Sequence, residues 1–388
     1  AMALREGLWR QDSTRDGVRR ALAASYGNVA VVAWWKGSET FDPRRLRVRA
    51  MQLLAPLASR TPPDTAARHL HARIQSEQGW DHIFDGQYET GLAHLDTAVV
   101  ALEALARGRP DDLALRLHLW RAYSYQADGL SFSGQHQPVL DLMREKGLPL
   151  LHALREQHPN HPRVIYGLHI AEGYVAGAEA AFGNDDARLA AVRRSVEYAD
   201  AMLELDGSNE KAREAVGRSR LGLAMLLASS GQTDEALDAH REVIDVAQAR
   251  FDRDPTSNEA GNGLALAQRF YCRTLSDARR YAEALEACQA SIRTQERANT
   301  SGSSSVLQGN LGSAYGHTAR IHRALARRAS GASRRAHLDA AREHYARGVE
   351  ILAAVRDEKQ AEDAGSLNWE VHPDSLADEY RALLASGG

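Results

Sequence analysis

The chain has 388 residues, 44% hydrophobic and 26% charged, with a formal net charge of −3. That composition is ordinary for a folded globular protein, and the near-neutral balance gives no bulk attraction to nucleic acid or an anionic membrane surface. No run of 18 apolar residues is present to insert into a bilayer, nothing reads as a secretory signal, and two cysteines are too few for a disulfide framework or a cysteine-rich zinc site.

From the N-terminus, Ala1-Met2-Ala3 reads as a cloning remnant, so residues 1–13 are expected to be cloning-derived or flexible and the chain a piece of a longer protein. A helix is predicted from about Asp16 to Trp35, then a turn at Gly37 and a second helix from Pro43 to Ser59. Further helix pairs turn at Gly86, Gly134 and Gly183, the last with Asn184-Asp185-Asp186 placed to cap the following helix. The fifth pair is the clearest: Asn209 to Ser230 carries Val216, Leu221, Leu223, Leu226 and Leu227 at helical spacing before Gly231 breaks the chain. Thr233 stands where it would cap a helix from Asp234 to Phe251, which Asp254-Pro255-Thr256 stops because proline cannot continue it. A sixth pair turns at Arg279; a seventh follows the serine-rich Ser301 to Ser305 and has a lengthened turn from Ser330 to Arg335. After Val355 the pattern fades through Glu358 to Gly365, and a short helix from Asp374 to Leu384 is expected to form a polar cap.

The turns are periodic. Gly37, Gly86, Gly134, Gly183 and Gly231 stand 49, 48, 49 and 48 residues apart; Arg279 follows after 48 and Gly331 after 52. Pro62, Pro110, Pro159, Gly207 and Pro255 keep the same period about half a cycle out of phase. Two columns of helix breakers in one register point to a solenoid, here all-α with about seven antiparallel hairpins over residues 14–356 and a linker with a capping helix over 357–388. The repeats are expected at about 14–61, 62–109, 110–158, 159–206, 207–254, 255–302 and 303–356.

Seven residues before the turns stand Ala30, Gly79, Ala127, Ala176, Ala224 and Cys272; five after them come Gly91, Ala236 and Ala284, a column that Val139 and Arg188 break. With Thr233-Asp234-Glu235-Ala236-Leu237 and Tyr281-Ala282-Glu283-Ala284-Leu285, this text resembles the tetratricopeptide repeat over about nine-tenths of the chain. The resemblance implies a right-handed superhelical solenoid. The usual unit is about 34 residues, and the excess here is expected in longer helices, because the turns are too short to hold it. Units of this length are similar to the tandem repeats after the kinase domain of some bacterial serine/threonine kinases, and to sensory parts of some transmembrane transcription regulators. Arg20-Ala21-Leu22-Ala23-Ala24-Ser25-Tyr26 and Asn310-Leu311-Gly312-Ser313-Ala314-Tyr315 carry that likeness, and the scarcity of lysine (Lys36, Lys146, Lys211 and Lys359 alone) suits a GC-rich bacterial genome. No kinase motif is present. Cys272 and Cys288 fall on adjacent helices of one repeat and are expected to be buried thiols.

Catalytic motifs fail one by one. Gly261-Asn262-Gly263 lacks the third glycine of a dinucleotide loop and a preceding strand, and Gly217 to Leu221 lacks the closing glycine of a nucleophile elbow. His69 and His71 point to different faces of a helix, His158 and His161 flank a turn proline, and Asp111-Asp112 and Asp185-Asp186 sit at helix starts. No cofactor or metal is expected, and the chain reads as a non-enzyme.

The tetratricopeptide analogy places the first helix of each pair on a concave groove. Columns on that face offer Arg73, Arg121, Arg218 and Arg269, flanked by Trp80, Tyr125 and Tyr174. Arginine forks suit carboxylates and phosphates, and the aromatic rings supply flat apolar contact; the opposing expectation is that neighbours such as Glu77 and Asp128 neutralise the arginines. Trp34 and Trp35 end the first helix and cannot both point inward. The expected function is a non-enzymatic protein- or peptide-binding scaffold, its ligand acidic or phosphorylated, within a larger bacterial signalling protein. The alternative is a small-molecule sensor closing around its ligand. The expected location is cytoplasmic, or periplasmic if a transmembrane helix precedes the chain; no nucleic-acid partner and no membrane insertion are expected.

Overall fold

The computed structural model describes residues 1–37, 40–298, 305–360 and 371–386, and no strand occurs among them. The stretches 301–304 and 361–365 and the side chain of Trp35 lie outside the described parts. After α1 (Met2–Gln11) come seven helix pairs among the described residues: α2 (Asp16–Lys36) with α3 (Pro43–Ala58), α4 (Thr65–Phe84) with α5 (Tyr88–Gly108), and α6 (Leu113–Phe132) with α7 (His136–Leu142) and α8 (Leu148–Gln157). They continue with α9 (Pro162–Ala181) and α10 (Asp185–Leu205), α11 (Glu210–Ser229) and α12 (Thr233–Arg253), α13 (Asn258–Asp277) and α14 (Tyr281–Ala298), and α15 (Ser305–Ala326) and α16 (Gly331–Gln360). A π-helical turn, Met143–Gly147, joins α7 to α8, and α17 (Pro373–Ala385) follows α16. The fold is all-α and tetratricopeptide-like, with the excess length in the helices: α4 has 20 residues and α5 has 21.

Every turn position in the periodic column adopts the left-handed backbone. φ is +62° at Gly37, +77° at Gly86, +74° at Gly134, +70° at Gly183, +78° at Gly231, +61° at Arg279 and +57° at Gly331. At the five turns from Gly86 to Arg279 the following N–H reaches back five residues to close the preceding helix, as in Gln87 to the His82 carbonyl (2.8 Å), Gln135 to Leu130 (2.8 Å) and Arg280 to Leu275 (2.9 Å). The second helix starts within this closure. Asn184 and Gln232 occupy the N-cap positions of α10 and α12 without a side-chain cap bond, so neither Asn184 nor Thr233 caps as expected. The seventh turn is also placed differently: its extra residues, 327–330, precede Gly331, and Gly331 to Arg335 already belong to α16.

The chain divides into two compact units, residues 1–212 and 213–388, where the sequence suggests one array. In the first, α1 is a docked helix, not a flexible leader: Tyr26 donates to Glu6 Oε1 at 2.6 Å, and the Arg19 guanidinium lies 4.9 Å from the Trp9 ring centroid. Its largest core cluster gathers Leu102, Leu115, Trp120, Met143, Leu151 and Leu168. The small-residue columns let α4 and α5 touch; a Cβ on Gly79 would lie 2.7 Å from Leu95 Cγ and 2.9 Å from the Gly91 carbonyl.

In the second unit the same registers hold Cys272 and Cys288, and these form a disulfide with Cα atoms 5.3 Å apart, correcting the expectation of two thiols. Cys272 stands seven before its turn and Cys288 nine after, the registers at which Gly79 meets Leu95 in the second pair, so the hairpin itself brings the sulfurs together. The helix α17 covers the last pair through buried Leu376 and Leu383, and Glu379 accepts from both Arg320 Nε (3.0 Å) and Nη2 (2.8 Å) and from the Tyr345 hydroxyl (2.9 Å).

Arg279 adopts a left-handed conformation that disfavours a Cβ. Arg279→Gly is expected to stabilise the second unit by about 0.5–1 kcal/mol, the relieved strain being partly offset by the greater freedom of glycine in the unfolded chain. Urea denaturation measures the change, and an unchanged or lower midpoint would contradict it.

Candidate functional site

In the first unit, the first helices α2, α4, α6 and α9 line a cavity of ≈ 570 Å³. Helical spacing decides which residues face it: Val31 and Trp34 from α2, Glu77 and Trp80 from α4, then Leu117, Trp120, Arg121, Ser124, Tyr125 and Asp128 from α6. Arg163, Tyr166, Ile170 and Tyr174 of α9 complete that stripe, and Arg47 reaches in from α3. The cavity thus crosses four successive repeats.

One carboxylate ties the wall together. Asp128 accepts from Trp80 Nε1 at 3.1 Å and from the Tyr174 hydroxyl at 2.8 Å, joining three repeats, and the same hydroxyl lies 3.0 Å from the Ser124 carbonyl. Burial raises the Asp128 carboxyl despite these bonds, and burial beside Asp128 holds the Tyr174 phenol well above its ordinary value. Around this anchor the rings interlock: Trp34 meets Trp80 edge-on with centroids 4.6 Å apart, and Trp80 lies 5.5 Å from Tyr125. Trp120 is set between two glycines, where a Cβ on Gly147 would come within 3.2 Å and one on Gly167 within 3.0 Å of its indole.

The floor is ionic. Arg47, 4% exposed, pairs with Asp81 and stands 3.8 Å from Glu77 Oε2, while Arg73 Nε lies 3.6 Å from Glu77 Oε1 and its Nη2 donates to Asn28 at 3.1 Å. Burial pushes the Asp81 carboxyl up to about 6 even against the Arg47 charge, and raises Glu77 in spite of Arg73, Arg47 and Arg121. Desolvation outweighs attraction here, as it commonly does for buried ion pairs.

Arg121 and Arg163 differ from these. Neither has an ion-pair partner among the described residues, and both face the cavity. Burial and the Arg121 charge together lower the Arg163 pKa from its ordinary value. Behind them, burial, His69 and the surrounding arginines bring His118 down to about 3, so its ring is neutral and shares a 2.9 Å contact with His69.

Of the seven residues singled out from sequence, the structure gathers Arg121, Trp80, Tyr125 and Tyr174 at this cavity. Arg73 lies beneath it, engaged with Asn28 and Glu77. Arg218 and Arg269 belong to the second unit: Arg218 is exposed and paired with Glu214 four residues earlier, whereas Arg269 is buried and donates to Asn310 Oδ1 at 3.2 Å. Arg163 and Tyr166 lie upstream of the aligned columns, which reach thirteen residues before the turn; Arg163 stands one further heptad upstream of Ile170 on the same stripe. Arg47 had no such signal, because it belongs to a second helix. Among the described residues no group of three or more histidine, cysteine or acidic side chains could hold a metal ion.

Asp81 supplies a pH test. Its folded pKa of about 6 exceeds the ordinary 3.8, so the folded state holds a proton that the unfolded chain has released, and stability falls as pH rises through that window. Asp81→Asn should therefore gain stability relative to the native chain as pH rises from about 4 to about 7. Urea midpoints across that range measure it; a difference independent of pH would refute the assignment.

No family profile matches the chain, and no curated protein matches its sequence. Solved structures similar to it include RapI in its apo form, at 10% identity and TM-score 0.48, covering 94% of this chain and 87% of that one. BtubC (BKLC) from P. vanneervenii is similar at 14% identity and TM-score 0.45, covering 72% and 94%, and a tetratricopeptide repeat protein from Parabacteroides merdae at 11% and 0.40, covering 93% and 98%. The tetratricopeptide-like architecture of this chain rests on its own helix pairs and left-handed turns.

Proposed function

We propose that the chain is a non-enzymatic scaffold that binds a peptide segment of a partner protein in the cavity of its first unit. The observation that carries this reading is the cavity's extent. It is lined by one face of four successive first helices and walled by Trp80 and Tyr174, both bonded to Asp128, and by Trp34 and Tyr125, whose rings lie against Trp80. Rigid aromatic walls bind at a small entropic cost, since the side chains are ordered before the ligand arrives. A volume of ≈ 570 Å³ accommodates a few residues of an extended segment, which would cross the helices.

The same volume also suits a small molecule, which keeps the sensor reading as the second one. Attachment to a bacterial kinase or transcription regulator rests on the resemblance in composition and unit length. The Cys272–Cys288 bond favours the periplasmic alternative over the cytoplasm, because reducing compartments keep such pairs open.

Selection of a random peptide library on the full chain tests the proposal. Enriched peptides should compete for one site, and Trp80→Ala should weaken them by about thirtyfold, the loss typical of an aromatic anchor. Peptides that bind Trp80→Ala as tightly as the native chain would exclude the cavity, and a cavity ligand found only among metabolites would favour the sensor.

A further inference from the structure

The arginines that line the cavity are not all paired. Arg47 pairs with Asp81 and stands near Glu77, while Asp128 accepts from the neutral donors Trp80 and Tyr174. Arg121 and Arg163 remain, on neighbouring helices α6 and α9, facing the same space with no carboxylate within ion-pair distance among the described residues. Arg121 is half-buried and Arg163 exposed, and partial desolvation together with the like charge of Arg121 lowers the Arg163 pKa. Elsewhere in the first unit some arginines that meet a neighbouring helix find a carboxylate, as Arg194 does at Glu172 (2.7 and 2.8 Å) and Arg60 at Asp16 (2.7 Å), whereas Arg116 donates to the Gln157 amide oxygen at 2.8 Å. A ligand anion can supply the close ion-pair partner that Arg121 and Arg163 lack among the described residues.

What lies beside the pair sets the rest of the ligand. Tyr125 is four residues from Arg121 on α6 and Tyr166 three from Arg163 on α9, so each arginine has an aromatic neighbour on its own helix face. Tyr125 in turn adjoins Trp80. Accepting that the cavity is a ligand site, we infer that Arg121 and Arg163 clamp an oxyanion carried by an aromatic group, with the ring against Tyr125 and Trp80. Both forks can donate to one carboxylate or phosphate, and charge-assisted bonds of that kind are the stronger class. Carboxylate and phosphate share this chemistry; the phosphate's greater charge draws more from two arginines.

Titration of the intrinsic tryptophan fluorescence of the full chain tests the clamp, using phenylacetate, phenyl phosphate and neutral phenylacetamide as probes. Saturable binding of at least one anion is expected, about tenfold or more tighter than phenylacetamide. Tighter binding of phenyl phosphate would identify a phosphorylated source, and tighter binding of phenylacetate a carboxylate source. Arg121→Gln and Arg163→Gln should each weaken the anions by about tenfold and leave phenylacetamide within about twofold. Raising NaCl from about 50 mM to about 500 mM should weaken the anions in the native chain, which tests the clamp even if a variant fails to fold. Equal binding of anions and amide, or anion binding insensitive to salt and to both substitutions, overturns the clamp while leaving the cavity a ligand site. If none of the three probes binds, the clamp is wrong. In that case the cavity reading stands or falls separately, on whether peptides from the library lose affinity with Trp80→Ala.

Discussion

The left-handed residue between the helices of each pair is the constraint on which the rest depends. It lets the chain reverse within a few residues, and from Gly86 to Arg279 the next N–H closes the finished helix. Because these positions recur every 48 or 49 residues through the first five turns, each first helix ends at the same phase. Residues in one column then face the same side, and a side chain can find its counterpart one repeat away. Trp80, Asp128 and Tyr174 illustrate this, bonded across separations of 48 and 46 residues. A site built on three different helices is rigid here because one turn geometry repeats.

That regularity leaves each helix pair free to differ in chemistry. The first unit places ionised groups where a solenoid core would ordinarily be apolar, and the Arg47, Glu77 and Asp81 cluster shows desolvation prevailing over pairing. It also concentrates the tryptophans, five of six lying at or before residue 120. Equivalent columns of the second unit serve other ends. Arg218 is solvated beside Glu214, and Arg269 is buried against Asn310, with its charge disfavoured by burial to the extent of a pKa of about 10. A column aligned in sequence therefore predicts which side a residue faces, but not its state of charge compensation.

Much of the fold was legible in the sequence because it is local. A glycine column marks left-handed turns, small residues mark close helix approach, and the long period requires long helices. The expectations that failed depend on neighbours in space. Asn184 and Thr233 look like caps, yet closure of the previous helix moves the N-cap and leaves no side-chain cap bond. Cys272 and Cys288 look like two packed thiols until the hairpin register sets one against the other. At the cavity, Arg121, Trp80, Tyr125 and Tyr174 follow from periodicity, whereas Arg47 enters from a second helix and has no periodic signal.

The sequence by itself determined the all-α repeat architecture, the positions of its turns and the face on which the first helices carry their polar and aromatic residues, since these follow from backbone preference and helical period. Only the tertiary structure decided which arginines keep a carboxylate partner. Charge compensation is a matter of a few ångströms between helices that are nearly fifty residues apart in the chain. Four arginines with the same sequence credentials thus divide into one exposed beside Glu214, one buried, one engaged with Asn28 and Glu77, and one, Arg121, that lines the cavity with Arg163 and has no carboxylate within ion-pair distance among the described residues.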